Sequence, residues 1–291
     1  MSKIHIIFDN DGVNIDSEDV AMRVMNDWAA VFVRSYKPDA NLPKDYIYTT
    51  YPGTSSNKIV EVLIHQFDLP LAKIAKDHGL IEIRETLEDV SLALADLITI
   101  ETNNRFQTEL KSIPGVTQAL AEIHKMFGSE NVALMTTSRA DRMDISLAYV
   151  VDPITGENAR LEEMFPKGSQ RRSGYGHTNK YDEGFEALGW NPAESIIVED
   201  SLSGVTKAKA GRPEVSVIGT VAARFYSNKP MHATVLLNAG ADIVITSISD
   251  LPLAAKWIKD GKPDTKPNFK SEVFWPNLGL SPSSNICRVT L

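Results

Sequence analysis

The sequence predicts an α/β fold, a doubly wound parallel sheet with an all-helical domain inserted after its first strand. Three observations carry this. Short apolar, β-branched runs recur and several end in polar residues, helical patterns separate those runs, and the stretch from about Ser17 to Ile113 shows apolar residues at helical spacing with no comparable strand signal. A chain of 291 residues can bury a sizeable core and suits a core domain plus a smaller unit.

The first strand is read from Ile4-His5-Ile6-Ile7-Phe8, which is followed by the turn-prone Asp9-Asn10-Asp11-Gly12. Both aspartates then stand at a strand's carboxyl end. Asn131–Thr136 runs in the same way into Thr137 and Ser138, and Ser195–Val198 into Glu199 and Asp200. Val215–Gly219 and Asp242–Ile245 are further strands without polar ends. A helical pattern follows Lys180, and another stands close after Asp200. Strands alternating with helices make a parallel sheet covered on both faces, and such sheets bind ligands beyond the carboxyl ends of their strands.

In the helical stretch, Val20, Val24, Trp28 and Val31 mark one helix, Ile59, Val60, Leu63, Ile64 and Phe67 a second, and Leu80–Ile100 one or two more. The expected division is a core of residues 1–16 and 114–261, a helical domain of 17–113, and a tail of 262–291. Residues Val150–Thr178, rich in Gly, Pro and charge, read as a surface excursion with a short helix near Leu161–Phe165. The tail is expected to wrap the core through Phe274 and Trp275, or to make an oligomer contact such as a homodimer's.

A net charge of −8 and a pI near 5.3 argue against a nucleic-acid or anionic-membrane surface and leave a small molecule as the expected partner. The single cysteine, Cys287, excludes an internal disulfide and fits a reducing compartment, so the cytoplasm is expected. The run Ile4–Phe8 is stopped by Asp9 and Asp11 and reads neither as a signal peptide nor as a membrane span.

The chemistry-bearing residues are those at the polar strand ends. Two carboxylates two residues apart, Asp9 and Asp11, can divide phosphoryl transfer between a nucleophile and an acid/base. Glu199 and Asp200 supply the hard oxygens that Mg²⁺ prefers. Thr136, with Thr137 and Ser138 beside it, offers donors to a phosphoryl oxygen, and Lys180 offers a cation. The histidines lack metal-ligand spacing and are expected in ordinary core or surface roles.

Taken together and in this order, these elements resemble the motif set of the haloacid dehalogenase superfamily over roughly Lys3 to Trp257. The opening IIFDNDGVNIDSE is similar to the subgroup containing β-phosphoglucomutase and phosphoglycolate-type phosphatases. The resemblance implies Asp9 as nucleophile, Asp11 as acid/base, Thr136 as a phosphate-binding hydroxyl and Lys180 as the cation. It also implies a Mg²⁺ held by Asp9, the backbone carbonyl of Asp11, Glu199 and Asp200. The helical insertion becomes a mobile cap, and Pro52-Gly53-Thr54-Ser55-Ser56 is the candidate loop presented to substrate, with Gly53 and Thr54 joining Thr137 and Ser138 as substrate-binding residues. The third motif departs from the subgroup's common Lys-Pro, since Asn179-Lys180-Tyr181 stands here, and Lys167 is the alternative cation.

The implied activity is Mg²⁺-dependent hydrolysis of a small phosphorylated metabolite, a sugar phosphate or a phosphoglycolate-like acid. The rivals are a phosphosugar mutase with the same residues, a dehalogenase, which needs neither Asp11 nor the metal, and a catalytically silent phospholigand binder.

Overall fold

The computed structural model describes residues 3–51, 54–80, 86–138, 140–165, 167–172, 179–224, 226 and 228–276. In chain order the elements are β1 (His5–Phe8), α1 (Ser17–Tyr36), α2 (Tyr46–Thr50), α3 (Ser56–Gln66), α4 (Leu71–Asp77), α5 (Leu87–Glu109), α6 (Val116–Phe127), β2 (Val132–Thr136), α7 (Ala140–Ala148), α8 (Leu161–Met164), β3 (Gln170–Arg172), α9 (Lys180–Leu188), β4 (Ser195–Glu199), α10 (Leu202–Lys209), β5 (Ser216–Thr220), α11 (Lys229–Asn238), β6 (Ile243–Ile245), α12 (Leu251–Lys259) and β7 (Val273–Phe274).

The strands form one sheet in the order β3-β2-β1-β4-β5-β6-β7, parallel except for β7, which runs antiparallel to β6. The chain leaves β1 towards β2 and β3, then returns to β4 on the other side of β1, so the topology reverses at β1. That reversal opens a crevice at the carboxyl ends of β1 and β4.

As the central strand of such a sheet, β1 must be apolar on both faces, and Ile6, Ile7 and Phe8 are all fully buried. Alternation sends Ile7 to a cluster with Met135, Ile197, Val217 and Tyr181 of α9. It sends Ile6 and Phe8 to the opposite cluster with Leu134, Val198, Leu120 of α6 and Ala254 of α12. Each such side chain contributes roughly 1.5–3 kcal/mol of burial.

The helical insertion is held by its own apolar faces. Ile59, Val60, Leu63 and Ile64 of α3 are buried, as their spacing predicts, while Val31 of α1 is 69% exposed. The second half of α1 instead buries Ala29, Phe32 and Val33, with Trp28 stacked on Phe32 at 4.3 Å. The two connections to the sheet run side by side: the Ile113 amide donates to the Asn14 carbonyl and the Asp16 amide to the Lys111 carbonyl.

Two strands differ from expectation. β3 is the polar run Gln-Arg-Arg at one edge of the sheet, and β7 is a two-residue strand at the other. The segment following Val150 is also less superficial than its composition suggests. Val150, Leu161 and Phe165 are fully buried, and Phe165 meets Phe8 edge-on at 5.6 Å. Single apolar anchors in a polar stretch have no period to read. In the tail, Trp275 packs on Trp257 and Phe269 at 5.0 and 5.8 Å. Among the described residues no helix is long and apolar enough to cross a membrane.

Candidate active site

Sheet register gathers the polar residues. Phe8 stands level with Leu134 on β2 and with Val198 on β4, so Asp9, the next residue, falls level with Glu199. Both point to the face covered by α9 and α10, where α9 begins with Lys180. The Lys180 ammonium lies 2.7 Å from Asp9 Oδ1 and 2.9 Å from Glu199 Oε1. Carboxylate oxygens of Asp9, Glu199 and Asp200 lie within 4.8 Å of one another.

This proximity depends on two glycines. Gly12 has φ +76°, and a Cβ there would stand 1.8 Å from Asp200 Oδ2. A Cβ on Gly204 of α10 would stand 1.9 Å from Glu199 Oε1. The backbone can therefore approach the carboxylates only where no side chain intervenes.

The cluster holds three carboxylates against one ammonium. Burial, reinforced by the charges of Glu199 and Asp11, pushes the Asp9 carboxyl up to about 7 against the pull of Lys180. Burial and the neighbouring Glu199 and Asp9 push Asp200 well above the usual carboxylate range. Burial acts on Glu199 too, but Lys180 and Tyr181 outweigh it and hold this carboxyl below its ordinary value. For Lys180, Asp9 and Glu199 overcome desolvation and raise the proton affinity. The excess negative charge among hard oxygen donors is the condition under which a divalent cation binds.

The three carboxylates differ in what remains free. Glu199 accepts from Tyr181 Oη at 2.6 Å, Lys180 Nζ, the amides of Asp200 and Ser201, and Ser201 Oγ. Those donors fix the orientation of this carboxylate. Asp9 and Asp200 carry fewer contacts: Lys180 on Asp9, and Tyr226 Oη at 2.6 Å on Asp200 Oδ2.

Asp11 turns away from the cluster. Its carboxylate accepts from Ser138 Oγ at 2.6 Å, from Arg142 Nη2 at 3.2 Å and from Ser17 Oγ. Burial would raise its proton affinity, but the Arg142 charge and the two hydroxyls outweigh that and hold Asp11 below the usual carboxylate range. In the metal-free protein the two aspartates of one loop are thus driven in opposite directions, Asp9 towards its protonated form and Asp11 towards its ionised form.

Of the other expected residues, Thr136 is buried at the end of β2, where its Oγ1 accepts from the Ser138 amide at 3.0 Å. Thr137 is half-buried beside it. Thr54 is bonded locally, its amide donating to the Tyr51 carbonyl. Gly53 lies outside the described residues. Lys180 stands between Asp9 and Glu199, and the side chain of the alternative cation, Lys167, lies outside the described part of the structure.

Several residues here escape sequence reasoning. Arg142, Ser17 and Tyr181 touch the acidic groups from positions that read as ordinary helix residues. Tyr226 and His232 support Asp200: their rings stack at 4.0 Å, and His232 Nε2 lies 2.7 Å from the Asp200 carbonyl oxygen. Burial lowers the His232 proton affinity, so neutral imidazole is favoured. No spacing rule marks either residue.

A Rossmann-like sheet with a carboxylate and lysine cluster at its reversal point, and a helical insertion after its first strand, defines a class of hydrolase-fold proteins. The chain belongs to the haloacid dehalogenase-like hydrolases, whose family model it matches over residues 5–211. No curated protein matches it. Among solved structures it is similar to a haloacid dehalogenase-like protein of unknown function from Agrobacterium tumefaciens, with 23% identity, a TM-score of 0.64, and coverage of 89% of this chain and 100% of that one. A protein from Thermotoga maritima named for β-phosphoglucomutase has 21% identity, a TM-score of 0.58 and coverage of 87% and 98%. One from Haemophilus somnus, named as a predicted phosphoglycolate phosphatase, has 14% identity, a TM-score of 0.56 and coverage of 87% and 98%. These likenesses establish the shared fold.

Proposed function

We propose that the chain is a Mg²⁺-dependent phosphatase that hydrolyses a small phosphate monoester through an aspartyl-phosphate on Asp9. The observation that carries this reading is the placement of Asp9 within one cluster with Lys180, Glu199 and Asp200, while Asp11 is held apart by its own donors.

Asp9 and Asp200 retain oxygens for Mg²⁺. Glu199 belongs to the same acidic group and also anchors Lys180 and Tyr181, and the Asp11 backbone carbonyl is a further oxygen on the same loop. When bound, the cation supplies charge neutralisation for the phosphoryl group and for the attacking carboxylate.

In the first half-reaction an Asp9 oxygen attacks phosphorus and the phosphorus–oxygen bond to the leaving alcohol breaks, with Asp11 delivering the proton to that oxygen. In the second, Asp11 takes a proton from water, which attacks phosphorus and frees Asp9 as a carboxylate. Asp11 enters the first step protonated and the second ionised, and its donors in the substrate-free protein favour the ionised form. Lys180 draws Asp9 towards its anionic form, and Thr136 offers its hydroxyl to a phosphoryl oxygen while the Ser138 hydroxyl is given to Asp11. The helical insertion, residues 17–113, serves as the cap in this reading, and Gly53 and Thr54 are its proposed contacts with substrate. The neighbours' names, a phosphoglycolate phosphatase and a β-phosphoglucomutase, point to small phosphorylated metabolites as the class.

The test is phosphate release from a panel of phosphorylated metabolites, with Mg²⁺ and with chelator, for the intact protein and Asp9→Asn. Release that needs both the metal and Asp9 supports the reading, whereas release that survives either loss contradicts it.

A further inference from the structure

Arg142 has a feature that the hydrolytic chemistry leaves unused. Its Nη2 meets Asp11 Oδ1 at 3.2 Å and its guanidinium lies 4.9 Å from the Phe106 ring centroid. Its Nε, however, is buried with no acceptor among the described residues. A guanidinium has more N–H donors than the Asp11 contact uses. A buried donor without a protein partner is met by an ordered water or by an acceptor that a ligand brings. Nor is the group idle packing, because its side chain keeps 25% exposure next to an Asp11 that is 31% exposed. It stands on α7 of the sheet domain and faces Phe106 of α5 in the helical insertion, so it borders the space between the two.

Asp11 is the group assigned to the leaving oxygen, so whatever touches Asp11 lies beside the leaving alcohol. A leaving oxygen and Arg142 Nη2 that share one carboxylate at hydrogen-bond range stand at most about 8 Å apart. That is the reach of a substituent on the carbon bearing the ester oxygen, or on the next carbon. The other cation of the site, Lys180, is committed to Asp9 and Glu199. A fork of N–H donors matches an oxyanion of two or three oxygens.

We propose that Arg142 is a specificity-determining residue that binds a second anionic group, carboxylate or phosphate, carried by the leaving alcohol close to the ester oxygen. The preferred substrate is then a short phospho-acid or bisphosphate rather than the monophosphate of a neutral alcohol. This rests on the phosphate-ester reading above and narrows it.

The test separates binding from turnover. The Asp9→Asn protein with Mg²⁺ is titrated calorimetrically with 2-phosphoglycolate, with ethanediol bisphosphate and with ethyl phosphate, and the series is repeated with Arg142→Met added. The expected result is tighter binding of one or both anion-bearing ligands than of ethyl phosphate, with that preference falling roughly 10- to 100-fold when Arg142 is replaced. The better of the two ligands identifies the second anion. Arg142→Lys, which keeps a charge without the fork, retains part of the preference and provides the comparison if Arg142→Met fails to fold. Equal binding of all three ligands, or a preference that survives both replacements, overturns the inference. A preference that depends on Arg142 in a protein that releases no phosphate upholds the inference while removing the hydrolase reading.

Discussion

Removing the Asp9 charge should stabilise the metal-free protein, and by an amount that depends on pH. The folded-state carboxyl sits at about 7 against an ordinary value of 3.8. A raised carboxyl binds its proton more tightly in the folded than in the unfolded chain, so stability is lost as pH rises from 3.8, and the loss is complete above 7. At ~1.4 kcal/mol per unit, the whole cost is about 4 kcal/mol, of which roughly 3 kcal/mol accrues between pH 5 and pH 8. Asp9→Asn does not titrate. In chelator, the stability of Asp9→Asn relative to the intact protein should therefore rise by that amount between pH 5 and pH 8, seen as about 4 °C of relative melting temperature for a chain of this size. Saturating Mg²⁺ should shrink the difference at pH 8, because it binds the ionised form. Chelator and Mg²⁺ melts of both proteins at the two pH values provide the assay. A difference that is constant with pH, or that favours the intact protein at pH 8, refutes the electrostatic reasoning.

Other changes probe the supports of the site. Gly12→Ala should destabilise by about 1–2 kcal/mol from its positive φ alone and weaken Mg²⁺ binding further by displacing Asp200, a pair of effects read by melts and by calorimetry; unchanged metal affinity would mean that Asp200 can shift freely. Tyr226→Phe removes the hydroxyl on Asp200 Oδ2 and should weaken Mg²⁺ binding roughly 10-fold, the lower range for groups that orient a ligand. Trp275→Ala should cost about 1–3 kcal/mol through lost packing on Trp257 and Phe269, measured by denaturant titration; no loss would mean that the described part of the tail contributes little to stability.

The parts of this molecule that the sequence discloses are those in which one residue type does one job. Ile6-Ile7-Phe8 can only be a central strand, and an apolar strand that stops at Asp9 has to present that carboxylate at the sheet's rim. The same holds for β4 and Glu199. Register then makes Asp9 and Glu199 neighbours, a consequence of pairing rather than of local pattern. Edge strands are different: Gln170–Arg172 has one partner and no need of apolar residues, so nothing distinguishes it from a loop. Arg142, Tyr226 and His232 are hidden for a related reason. Each acts through a single long-range contact, and a single contact leaves no period, spacing or composition behind.

The central claim is that phosphorus passes through Asp9. The most direct measurement is acid quenching during turnover of a reactive phosphate ester in Mg²⁺, followed by borohydride reduction and peptide mass spectrometry. An aspartyl-phosphate at Asp9 predicts homoserine at position 9, formed only with substrate and metal present. Phosphate release with an unmodified Asp9, or with homoserine at another position, contradicts the account.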